Sequence, residues 1–228
     1  MTLSAKILLF GSVTLLLLLM TAAQAQRVQG GAGFLYLGAS QWPGASAVIH
    51  QLNQGVDPAS SNQYTLIGGD LYGQSNRWLV GVGASALANK HFIPLAGLDK
   101  VESSASNAHL WLGWVAWQTN RTKVYPSLGP GINSFNVNVQ SSTGGTRTYT
   151  HDGFSADLAL TLDWLVSRKP TDKTLHAGPM LSLKVGYRLT TTSTEWHSDL
   201  SDPVVTTRYS PSCFYLTLGI GGGGFRVR

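Results

Sequence analysis

Apolar and polar residues alternate along Tyr64–Ala88, and this alternation predicts two antiparallel β-strands joined by a tight turn. Every second residue from Trp78 to Ala86 is apolar, and Gly81, Gly83 and Ser85 have the opposite parity, as in a strand with one apolar face. The join at Gln74–Arg77 is short and rich in turn formers. Each arm has about eleven residues, close to the nine to eleven that a tilted strand needs to cross a bilayer.

The same alternation predicts six further strands. Proline cannot donate to a strand ladder, so Pro126 and Pro130 predict a bulge in the fifth strand of the series. The six strands are Gly31–Ser40, Ala108–Gln118, Lys123–Val139, Phe154–Ser167, His176–Thr192 and Phe214–Val227.

Long and short connections alternate between these eight strands. The long connections are predicted as loops at 41–63, 89–106, 140–153 and 191–212, all at one end of the sheet. A soluble sandwich has no reason to collect its long loops at one end, whereas outer-membrane barrels pair short periplasmic turns with longer extracellular loops. The pattern therefore predicts an all-β, eight-stranded, antiparallel up-and-down transmembrane barrel.

The start of the chain has the layout of a secretory signal peptide. Lys6 precedes an apolar run of about fourteen residues, and a small-x-small ending closes at Ala25. The run is shorter than the roughly twenty residues of a membrane-spanning helix. We therefore predict a signal peptide over 1–25 and an exported barrel domain over 26–228.

Composition agrees with a barrel in a membrane. Only 12% of the residues are charged, against about 25% in an ordinary soluble domain, and the chain has 26 glycines. Half of each strand in such a barrel faces lipid, which explains the low charge. The single cysteine, Cys213, cannot form an internal disulfide.

With this strand count and loop pattern, the mature chain resembles the small eight-stranded outer-membrane barrels of Gram-negative bacteria typified by outer membrane proteins A and X. The resemblance covers the whole mature chain and rests on pattern. It implies an integral outer-membrane location. Such barrels often end on an aromatic residue. This sequence departs from that pattern, because Phe225 is followed by Arg-Val-Arg.

Two groups of candidate site residues follow from strand parity and height. Because an eight-stranded barrel is just wide enough for side chains to fill it, charged residues of the inward parity predict a network that plugs the lumen. This lumen charge network comprises Asp70, Asp157, Asp163, Lys184 and Arg188. Aromatic residues at the turn ends predict an interfacial girdle of Trp78, Trp114, Trp117, Tyr125 and Trp164, although core packing is the alternative. By parity alone, Trp117 faces inward with Trp111.

Several other chemistries are not predicted. Basic residues such as Lys123 fall on the turns, where they predict a basic periplasmic rim, and with no recognition element between them they do not predict nucleic-acid binding. Gly219–Gly224 matches a dinucleotide-binding spacing but precedes no helix. The loop histidines lack short ligand spacings, so we predict neither a metal nor a cofactor; these are His50, His91, His151 and His197. His109 has no accompanying serine motif, so we predict no enzyme.

The sequence therefore predicts a non-enzymatic outer-membrane barrel with a plugged lumen and a structural or surface-binding role. Its expected partners are membrane lipid and an extracellular or envelope protein bound through the four loops. The alternatives are a secreted lipocalin-like barrel around an apolar ligand, a small outer-membrane channel and a lipid-modifying enzyme. Parity separates the first alternative, because a lipocalin is apolar inside and polar outside.

Overall fold

Eight long strands, β1 to β8, form the molecule. The computed structural model describes residues 28–42, 62–88, 90–92, 98–141, 145–166, 175–190, 197–198 and 212–227, so the predicted signal peptide lies outside the described residues. The strands are β1 Val28–Gln41, β2 Gln63–Ser75, β3 Trp78–Leu87, β4 Leu98–Trp114, β5 Thr122–Ser141, β6 Thr146–Leu165, β7 Leu175–Thr190 and β8 Cys213–Val227. Three short strands, Lys90–Phe92, Trp117–Gln118 and His197–Ser198, flank them.

Each long strand pairs antiparallel with the next, and β8 pairs with β1 from Cα partners Val28 and Val227 to Gln41 and Phe214. The sheet therefore closes on itself, and the predicted all-β, eight-stranded antiparallel barrel is confirmed. Between β2 and β3 the turn has only two residues, and Asn76 takes a left-handed φ of 57° there. Among the described residues, no helix is long and apolar enough to span a bilayer.

The two faces of the wall differ as the alternation predicts. Large apolar side chains point outward all around the barrel; Leu35 is 74% exposed and Phe154 71%. Along β6, Leu158, Leu160 and Leu162 are exposed while the residues between them are buried. The outside of the barrel is therefore an apolar belt, and polar side chains lie inside it.

The outer hairpin departs from the prediction. β5 and β6 stay paired from Thr122 and Trp164 up to Gln140 and Thr146, so most of the predicted loop 140–153 is strand. Likewise β4 begins at Leu98, inside the predicted loop 89–106. Just before the first of these stretches, in the part of β5 that was predicted as strand, Phe135, Val137 and Val139 face inward. Residues 140–153 are mostly polar, which suits a hairpin surrounded by water and gave this stretch the composition of a loop.

The prediction of a bulge at the prolines of β5 was wrong. Pro126 and Pro130 pair with β6 without a register shift. On the β4 side the ladder omits two pairs opposite Gly129 and Pro130, but the register is the same on both sides of this gap. Residues four apart direct their nitrogens to the same neighbouring strand. Pro130 therefore falls in the gap and Pro126 beyond the last pair of this ladder, Gly113 with Ser127, so neither missing donor requires an extra residue.

Candidate functional site

The barrel lumen collects most of the buried polar side chains. We call the end with the tight turns the turn end and the opposite end the loop end. Nearer the loop end, Lys184 on β7 forms an ion pair with Asp70 on β2 across the interior. The Lys184 Nζ also lies 5.8 Å from the Tyr36 ring centroid and 5.7 Å from that of Trp111. These rings separate the ion pair from solvent while offering their electron-rich faces to the cation.

A second ion pair lies closer to the loop end, because Arg188 is four residues beyond Lys184 on β7. Arg188 Nε donates to Asp157 Oδ2 at 3.0 Å, and the two residues are Cα partners on neighbouring strands. The Tyr215 hydroxyl donates to the other carboxylate oxygen at 2.5 Å. All three side chains are buried. We call the two pairs, Asp70–Lys184 and Asp157–Arg188, the upper charge layer.

Nearer the turn end, Asp163 is fully buried and is held by hydroxyl groups. Its Oδ2 accepts from Tyr72 at 2.6 Å and from Tyr125 at 3.2 Å, and its Oδ1 accepts from Ser182 at 2.8 Å. We call Asp163 with these three donors the lower carboxylate site. The five residues predicted for the lumen charge network thus lie inside the barrel, divided between two levels.

Lys123 belongs to the lumen and not to the turn-end rim, so its predicted position was wrong. Its side chain is only 3% exposed, its Nζ donates to Gln74 Oε1 at 2.9 Å, and it lies 4.7 Å from the Tyr72 ring centroid. Lys123 and Asp163 are Cα partners, yet their side chains take different hydrogen-bond partners. Lys123 faces the lumen because the odd-numbered residues of β5 face inward from the beginning of the strand.

Aromatic rings fill the lumen around the lower carboxylate site and on the loop-end side of the upper charge layer. Towards the turn end, the Trp111 ring centroid lies 5.6 Å from Tyr72 and 6.0 Å from Tyr125. Towards the loop end, Trp42 stacks on Phe135 at 5.6 Å. Trp42 follows β1 directly and is buried. The prediction missed this plug because Trp42 fell within a stretch assigned to a loop.

The residues of the predicted aromatic girdle divide into four that are exposed on the outside of the barrel and one that is buried in the lumen. Trp78, Trp114 and Trp164 are outward and exposed, and Trp117 is also exposed because the chain leaves the strand after Trp114. The inward direction that parity alone assigned to Trp117 was therefore wrong. Tyr125 is 2% exposed inside the barrel, so its assignment to the girdle was wrong as well. It faces inward with Lys123.

The histidines whose side chains the structure describes form no metal-binding group. His109 lies inside the barrel, with Nδ1 2.9 Å from Asn107 Oδ1 and Nε2 3.7 Å from Asp70 Oδ1. His151 is fully buried on the inner face of the outer hairpin, opposite Phe135. His50 and the side chains of His91 and His197 lie outside the described part of the chain. Among the residues that are described, no three His, Cys, Asp or Glu side chains are grouped as a metal site.

No protein-family model matches the chain, and no curated protein matches it either. Among solved structures it is similar to Ail, the attachment invasion locus protein of Yersinia pestis, at 10% identity and a TM-score of 0.43, covering 88% of this chain and 99% of that one. It is similar to OprG from Pseudomonas aeruginosa at 11% identity and a TM-score of 0.38, covering 87% and 95%. For the outer membrane protein AlkL the identity is 14% and the TM-score 0.40, covering 91% and 94%. The predicted resemblance to small outer-membrane barrels is confirmed, as a likeness of fold alone.

Proposed function

We propose that the protein is an integral outer-membrane barrel with a sealed lumen, and that it acts through its extracellular surface and not by transport or catalysis. The apolar belt carries the first part of the proposal. Exposed leucines, isoleucines and valines encircle the wall, and a bilayer is the solvent that such a surface requires. A lipocalin-like barrel would have the opposite facing, with its charged residues outside.

The lumen supports the second part. The upper charge layer and the lower carboxylate site occupy the middle of the barrel; one buried cluster with aromatic rings surrounds the lower site, and another lies beyond the upper layer towards the loop end. An eight-stranded barrel filled in this way has no room for an aqueous channel. His109, the histidine considered for a lipid-modifying enzyme, is buried in this interior and faces away from the membrane surface. The filled lumen therefore argues against a small channel, and the position of His109 argues against a lipid-modifying enzyme.

The loop end is where we place the function. β5 and β6 each have 20 residues, about twice the nine to eleven that span a bilayer, so their outer halves rise above the belt. The inner face of this extension packs on the plug around Trp42, and its outer face carries polar side chains such as Asn136 and Thr150. A rigid polar sheet held at the membrane surface suits binding to an extracellular or envelope protein.

Cysteine accessibility tests the proposed orientation. Both variants carry Cys213→Ala to remove the buried native thiol. Thr146→Cys adds an exposed thiol at the tip of the outer hairpin, and Asn120→Cys adds one in a turn at the other end. A membrane-impermeant maleimide should label Thr146→Cys in intact cells and Asn120→Cys only after the outer membrane is permeabilised. The reverse pattern would invert the topology, and equal labelling would contradict insertion.

A further inference from the structure

An apolar groove of about 710 Å³ crosses the outer wall of the barrel on the side of β2, β3 and β4. Its two sides are rows of outward-facing cross-strand neighbours: Leu71, Val82 and Leu110 on one side, and Val80, Leu112 and Leu128 on the other. Neighbouring rows on one face of a sheet are about 7 Å apart. The groove therefore runs obliquely across the wall, along the hydrogen-bonding direction of the sheet.

At its β1–β2 end the groove opens into a notch formed by glycines. Gly31 and Gly73 are Cα partners on the outer face, and beyond its chain neighbours no atom lies within 4 Å of the position that a Cβ on Gly73 would take. Leu71 leans the other way, since its Cδ2 lies 2.5 Å from the position of a Cβ on Gly33. The leucine thus covers the neighbouring glycine and leaves the notch open.

The next row towards the turn end is basic and aromatic. Arg226 and Gln29 are cross-strand partners, and the row continues on β3 and β4 to the neighbouring pair Trp78 and Trp114. Arg77, in the adjoining turn, places its guanidinium carbon 5.7 Å from the Trp114 ring centroid. Two arginines and two tryptophans therefore lie on the turn-end side of the groove, and such residues suit the level of lipid headgroups.

We infer that this groove is a binding site for one phospholipid with an anionic headgroup, drawn from the periplasmic leaflet. The inference rests on the proposed membrane insertion. An acyl chain lies between the two apolar rows and enters through the notch at Gly73, where its phosphate meets Arg77 and Arg226. Four strand spacings give the groove a length of about 19 Å, against about 15 Å for one leaflet of the hydrocarbon core. Its volume falls within the roughly 300–1,000 Å³ of ligand sites.

Native mass spectrometry of the full chain, released from nanodiscs of equal parts phosphatidylglycerol and phosphatidylcholine, tests the inference. The wild type should retain one phosphatidylglycerol molecule. Gly73→Leu fills the notch and should lose it. Gly222→Leu is the matched control, because Gly222 also faces outward and lies outside the groove. A Cβ on Gly222 would have its nearest contact at 3.7 Å, so the position has room for a side chain. This control should retain lipid as the wild type does.

The arginines test the choice of headgroup. Arg77→Gln and Arg226→Gln should each lower the preference for phosphatidylglycerol over phosphatidylcholine about fivefold, the contribution of one arginine near an anionic surface. Equal retention by Gly73→Leu and Gly222→Leu, or no lipid on the wild type, would overturn the inference. A dimer that disappears in Gly73→Leu, with no lipid retained, would assign the groove to a second copy instead. Heat-modifiable gel mobility, recorded for every variant, reports insertion separately, so the proposed function can stand while the groove fails.

Discussion

The upper charge layer and the lower carboxylate site solve the same problem by different means. Asp157 and Asp163 lie six residues apart on one face of β6, and both are buried. Asp157 is compensated by a cation, Arg188, whereas Asp163 is compensated by three hydroxyl donors. A guanidinium can only donate, but a hydroxyl can donate or accept. Replacement of the carboxylate should therefore be costly in the upper charge layer, whereas the hydroxyls of the lower carboxylate site should reorient around the new side chain.

The same substitution at the two aspartates should show the largest difference. Asp157→Asn leaves the Arg188 guanidinium buried without a counter-charge and should cost about 3–5 kcal/mol of unfolding free energy. Asp163→Asn should cost only about 1–2 kcal/mol, because the surrounding hydroxyls can rotate to accept from the new amide and the neighbouring Lys123 keeps its hydrogen bond to Gln74. Urea unfolding in lipid vesicles, followed by tryptophan fluorescence, measures both. Equal costs would remove the distinction between the two levels.

A double substitution sharpens the account of the upper layer. Lys184→Met leaves Asp70 without its cation and should cost about 3–5 kcal/mol. Adding Asp70→Asn removes the stranded carboxylate, so the double variant should be more stable than Lys184→Met alone. A double-mutant cycle from the same unfolding titrations gives the coupling energy. Additive losses would show that the two side chains do not depend on each other.

Removal of a single hydroxyl should matter more at the lower site. Tyr72→Phe takes away one of three donors to a carboxylate that has no ion pair, and should cost about 1.5–3 kcal/mol. Tyr215→Phe removes a donor to Asp157, which keeps Arg188, and should cost about 1 kcal/mol. The two changes are chemically identical, so each serves as the control for the other. A larger loss in Tyr215→Phe would reverse the comparison.

The smallest effect is expected between the two levels, at Thr161. Its side chain is buried, and its hydroxyl has no hydrogen-bond partner among the described residues. Thr161→Val keeps the shape and removes the unpaired group, so stability should change by less than about 0.5 kcal/mol or should rise. A clear loss in the unfolding titration would mean that the hydroxyl contributes to the lumen network.

The alternation of apolar and polar residues was sufficient to predict most of the fold. Period-two facing is local, so the sequence was enough to assign Asp157, Lys184 and Arg188 to the inside and Leu160 to the outside. It was not enough to assign partners, because a partner depends on the register of the paired strands. Lys184 pairs with Asp70, 114 positions away, across the lumen. No local pattern contains that contact.

The errors came where the composition of a face and its direction disagree. The stretch 140–153 has polar residues because it meets water above the belt, so it was assigned to a loop although most of it is strand. Tyr125 and Lys123 lie near a turn, and height along the strand suggested an interfacial position for both. Both residues are odd-numbered on β5, however, and the odd-numbered residues of this strand face the lumen.

Single-channel recording tests the sealed lumen most directly. The purified protein is reconstituted into a planar bilayer, and its insertion is confirmed by heat-modifiable gel mobility. Because the upper charge layer, the lower carboxylate site and the aromatic clusters fill the interior, we expect no steady conductance of porin size from the wild type. Large, stable openings in the wild type would contradict the sealed barrel and move the function to diffusion through the lumen.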